Sequence, residues 1–80
     1  MVVTDTDLLK KREELGIRLK EIREKRKLKQ EELAELMSVS KSTISKIQGG
    51  KFNCSYDYIL KFSKALCFNI ILEERIDEEI

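Results

Sequence analysis

Apolar positions repeat with a helical period along most of the chain. Leu33, Leu36 and Met37 recur at i, i+3 and i+4, which predicts one face of a helix over residues 30–37. After a small, polar break around Val39, Ile44 and Ile47 are again three apart and predict a second helix over 41–48. Ala34 is small enough to let the second helix cross the first steeply, with Ile44 docked near it and Val39 plugging the corner. This is the geometry of a helix-turn-helix, whose second helix can lie in a DNA major groove. A plain hairpin of two amphipathic helices has the same spacing. What argues against it is the outward face of the second helix. Ser40, Lys41, Ser42, Thr43, Ser45 and Lys46 are hydroxyls or cations with no acid among them, whereas the first helix mixes in Glu31, Glu32 and Glu35.

Upstream, Leu8, Leu15, Leu19 and Ile22 share a face of a long helix over about residues 8–27, with Thr4, Asp5 and Asp7 as capping residues. Gly16 interrupts it at a cost of about 1 kcal/mol. It marks either a junction between an N-terminal extension and the domain's own first helix, or a close helix contact. The basic run of Arg23, Lys25, Arg26, Lys27 and Lys29 is a solvated helix end favoured by the helix dipole, or a phosphate clamp beside the second helix. Gly49 and Gly50 stop the 41–48 helix. Ser55 caps a further helix over about 55–66, in which Ile59, Phe62 and Leu66 form a core stripe and Tyr56 and Tyr58 are packing residues.

Residues 68–72 are aromatic and β-branched and follow a helix stop, so they predict a strand, with a fifth helix through residue 79 as the alternative. A lone strand leaves its N–H and C=O groups unpaired. Phe68, Ile70, Ile71 and Leu72 are therefore expected to pair with a second copy in a two-fold homodimer. Residues 73–80 read as a frayed acidic tail with Ile76 and Ile80 as docking points.

The segments from Gln30 to Glu35, from Val39 to Ile47, and Gly50-Lys51 resemble the Cro and phage-repressor type of helix-turn-helix regulators, the xenobiotic-response-element family, over about residues 16–72. The resemblance implies an all-α, lambda-repressor-like bundle of four to five helices that binds DNA as a dimer. It implies that Gln30 bonds phosphate and that Lys51 and Asn53 touch the backbone. The chain departs from the family pattern in four places. Lys29 replaces an N-capping Thr or Ser, Ser38 replaces the glycine of the turn, Gln48-Gly49-Gly50 replaces Glu-Arg-Gly, and Asn53-Cys54-Ser55 replaces Asn-Pro-Ser.

Eighty residues suit one small domain, divided as a 1–15 helical extension, a 16–67 DNA-binding unit and a 68–80 dimerisation strand and tail. With no long apolar run and no signal-like start, a cytoplasmic protein is expected. The net charge is only +1, but residues 10–51 hold thirteen Lys or Arg against seven Glu, and the last eight residues hold one Arg against five acids. A basic face, rather than a basic total, is what a duplex recognises. There is no His, and Cys54 and Cys67 read as semi-buried fillers rather than redox sensors. No cofactor, metal or enzymatic constellation is indicated.

Base reading is assigned to Lys41, Ser42, Thr43, Ser45 and Lys46, and backbone contacts to Gln30, Ser40, Lys51 and Asn53. Lys41 can donate to guanine, the Thr43 methyl can touch thymine, and Lys46 can reach either base or phosphate. The expectation is a homodimeric repressor on a palindromic double-stranded operator. The rivals are an antitoxin that autorepresses its operon and holds a toxin, and a protein-interaction module that uses the same fold.

Overall fold

The computed structural model describes residues 2–51 and 53–76 and contains four helices: α1 (Asp5–Lys25), α2 (Gln30–Met37), α3 (Lys41–Gln48) and α4 (Tyr56–Leu66). The chain is an all-α helix-turn-helix bundle, as expected from the apolar period. α1 begins in a reciprocal cap: the Thr4 amide donates to Asp7 Oδ2 at 2.9 Å and the Asp7 amide donates to Thr4 Oγ1 at 3.1 Å. It then runs unbroken through Gly16. A Cβ added there would lie 2.4 Å from the carbonyl oxygen of Gln48, so the glycine serves a close crossing of α1 over the end of α3.

All four helices close in one way. A left-handed residue follows each: Lys27 (φ 60°), Ser38 (φ 56°), Gly50 (φ 74°) and Cys67 (φ 56°). The amide one residue further reaches back to a carbonyl of the last turn, Leu28 to Arg23, Val39 to Ala34, Lys51 to Lys46 and Phe68 to Ser63, at 2.9–3.2 Å. This is the Schellman closure, which satisfies carbonyls that the helix itself leaves bare. Leu28, Val39 and Phe68 then pack on the core, so the turn also delivers an apolar residue inward.

The core is Leu19, Leu33, Ala34, Met37, Ile44, Ile47, Phe62 and Leu66. Leu36, expected on the buried face of α2, is instead 62% exposed. It sits about 100° round the helix from Met37, on the side away from Ala34. Leu8 and Leu15 are likewise exposed, so only the second half of α1 contributes to the core, and Tyr56 faces solvent. Cys67 is exposed rather than semi-buried, because it occupies the left-handed corner after α4.

Residues 68–76 form neither the expected strand nor a fifth helix. Among the described residues there is no other strand to take up the hydrogen bonds of an edge at 68–72. Of the tail expected over 73–80, residues 77–80, including Ile80 as a docking point, lie outside the described residues.

Candidate nucleic-acid interface

α2 and α3 form the two arms of the helix-turn-helix. The tight corner is made possible by Ser38 in the left-handed region, by half-buried Val39, and by Ser40 as N-cap of α3. Ile44 and Ala34 both lie in the core, as the crossing requires. Lys29, which has no side-chain acceptor to offer α2, is helped by Glu32, whose Oε1 takes the Lys29 amide at 2.8 Å.

On α3, Lys41, Ser42, Ser45 and Lys46 are all exposed and, at 100° per residue, fall within an arc of about 140°. Ile44 and Ile47 point the opposite way and are buried. The expected base-reading residues are thus gathered on one surface, except for Thr43, which is half-buried at its edge. The Thr43 hydroxyl shares a 2.8 Å hydrogen bond with Ser40, and Ser40 Oγ accepts the Thr43 amide at 3.1 Å. The Ser40 hydroxyl is thereby committed to capping, and Thr43 is left with its methyl to offer.

The backbone set is more dispersed. Gln30 is half-buried and donates its Nε2 to Gln48 Oε1 at 3.3 Å, which ties the start of α2 to the end of α3. Its own amide is a first-turn donor without an intrahelical acceptor. Lys51 is exposed just past α3. Asn53 shares a groove with Leu8, Arg12, Leu15 and Tyr56, on the α1 side of the bundle.

Three features were not foreseen. The Lys41 ammonium is 2.8 Å from Glu31 Oε1, an ion pair across the two arms. Its hydrogen bond and charge hold the Glu31 carboxyl below the usual range. Arg23 and Arg26 also serve the protein rather than a phosphate clamp. Arg23 is buried with Nη1 on the Leu28 carbonyl at 2.7 Å, and Arg26 donates to the carbonyls of Leu66 and Cys67 at 3.0 and 3.1 Å. Lys25, Lys27 and Lys29 stay exposed. Lastly, Arg23 Nε and Gln48 Nε2 are buried without an acceptor among the described residues. The sequence showed only a basic run here. That α4 ends beside α1, with bare carbonyls to satisfy, is tertiary information.

Burial pushes the Cys54 thiol up, away from the thiolate form that redox chemistry uses. No group of three or more potential metal ligands occurs among the described residues. No described helix is long and apolar enough to cross a membrane.

Residues 14–75 match the family described as a helix-turn-helix domain. That is most of the chain, and the protein belongs to this family of DNA-binding domains. A comparison with curated proteins gave no match.

Proposed function

We propose that the protein is a sequence-specific regulator of transcription, of the Cro and phage-repressor type, that binds a palindromic operator as a homodimer and represses by occluding polymerase. The observation that carries this reading is the outward surface of α3: Lys41, Ser42, Ser45 and Lys46 in one arc, with no acid anywhere in the helix. Cations supply affinity for phosphate, and hydroxyls and ammonium groups supply donors for base edges. Neither Arg nor Gln stands in the exposed arc, so each half-site is held modestly and two are needed. The dimer brings two α3 helices to major grooves about 34–36 Å apart. Support for it comes from the C-terminal segment, where Ile71 and Leu72 are 75% and 94% exposed and Ile70 is also exposed. An aqueous monomer gains nothing from three successive uncovered aliphatic residues. Such a protein works in the cytoplasm.

A gel shift against the DNA upstream of its own gene, at two salt concentrations, tests the reading. Selective, salt-sensitive binding is expected, and it is lost in Lys41→Ala/Ser42→Ala. A folded protein that binds no duplex at low salt would instead favour a protein-interaction module. An antitoxin is the second reading. It is supported by the N-terminal residues and the first half of α1, where Val2, Val3, Leu8 and Leu9 are exposed beyond what the core uses and offer a surface for a toxin.

A further inference from the structure

We propose that Glu31 is a specificity-determining residue of DNA binding: it tethers the Lys41 ammonium at the start of α3 and thereby trades general affinity for selectivity. This rests on the DNA-binding reading above. The pair joins two helices rather than neighbouring turns of one, and both side chains are more than half exposed, at 58% and 60%. Exposed pairs contribute little to folding, so the contact has no strong structural reason to exist. Lys41 also stands in the first turn of α3, the end of a helix where a cation is disfavoured. Glu31 offsets that charge and fixes where the ammonium points.

Two consequences follow for a duplex. An ammonium has three N–H donors, and Glu31 accepts one, leaving two for a base edge. A lysine already held in place loses less side-chain freedom when it meets a guanine than a free one does. The tether therefore favours sites that present an acceptor at the tethered position. On all other DNA, Glu31 is a negative charge at the interface that repels phosphate and keeps Lys41 from swinging to it. Among the described residues, Glu31 is the carboxylate that pairs with Lys41.

The test uses the duplex enriched by the wild-type protein from a randomised pool and a random duplex of equal length, over a range of salt. For Glu31→Gln, binding to the random duplex should tighten by about five-fold, and its salt slope should steepen by about one as Lys41 is freed to contact phosphate. The ratio of enriched to random affinity should fall about five-fold or more. In a Lys41→Ala background the same substitution should change that ratio by less than about two-fold, because the tether has nothing to hold. Equal tightening on both duplexes, or the same effect with and without Lys41, would overturn the proposal and leave Glu31 a bulk charge. Unchanged melting of Glu31→Gln separates these outcomes from misfolding. If the wild-type protein enriches no duplex at all, the DNA-binding reading falls and takes this inference with it.

Discussion

Lys27, Ser38 and Cys67 each hold a backbone conformation that a side chain disfavours and glycine does not. At Ser38 the need was visible, because a tight corner follows an apolar stripe. At Lys27 and Cys67 it was not: neither residue signals a turn, and only the half-buried Leu28 and Phe68 after them mark the place. Cys67 is exposed with no core contact to lose, so Cys67→Gly should raise stability by about 0.5–1 kcal/mol, the strain relieved less the added freedom of the unfolded chain. Urea unfolding with a higher midpoint and an unchanged slope would show it. The opposite change at Gly16 has the opposite sign. A methyl there meets the Gln48 carbonyl, which is backbone and cannot swing away, so Gly16→Ala should lose about 2 kcal/mol or more. A neutral result in thermal melts would mean that α1 and α3 are free to separate.

At the scale of elements, the sequence located α2, α3 and α4 within a residue because strong apolar periods are bounded by small, polar breaks, although only α3 has a side-chain N-cap among the three. α1 was harder to bound. Its first half carries leucines at core spacing, yet Leu8 and Leu15 line an open groove with Asn53, Tyr56 and Ile59 rather than the core, and a period cannot say which of the two a leucine will meet. The start of α1 nonetheless makes a clear claim. Asp7 accepts the Thr4 amide and, with the Thr4 hydroxyl, this holds its carboxyl below the ordinary 3.8. A depressed carboxyl stabilises the folded state above its unfolded pKa and loses that effect as pH falls through the folded value. The Thr4 amide shift should therefore titrate with a midpoint below 3.8, and Thr4→Ala, which removes the hydroxyl but keeps the backbone donor, should bring the Asp7 midpoint only part of the way back up. A wild-type midpoint at or above the ordinary value would show that the cap is not populated. Between elements, the Arg26 guanidinium makes two hydrogen bonds from the end of α1 to the end of α4, and Arg26→Ala should cost about 1–2 kcal/mol. Unfolding of Arg26→Lys, which keeps the charge but loses the fork, should fall close to the alanine variant.

For the whole molecule, charge and shape are unevenly distributed. The radius of gyration is 13.7 Å, above the roughly 12 Å of a compact chain this long, because the first half of α1 and the C-terminal segment extend past the core. The sequence announced the sign asymmetry and the apolar C-terminal segment, but the strand it suggested there is not formed, since an extended segment pairs only with what lies beside it. If residues 68–72 join two copies, Ile71→Glu/Leu72→Glu should sediment as a monomer with unchanged circular dichroism. Its affinity for a palindromic duplex should fall at least about ten-fold, as one half-site is lost. A native dimer in that variant would move the interface elsewhere.

One contact reaches further than packing. α1 is a single rod of 21 residues, and Gly16, near its middle, rests against the last carbonyl of α3, while Glu13 lies over Gly50 just beyond. From Gly16 back to Asp5 is an arm of about 16 Å with no break to absorb bending. A displacement of about 1 Å at its tip is a tilt of roughly 4° at the pivot, delivered straight to α3. Whatever grips the N-terminal part of α1 takes hold of a tiller, and on the proposed reading it steers how α3 meets a groove.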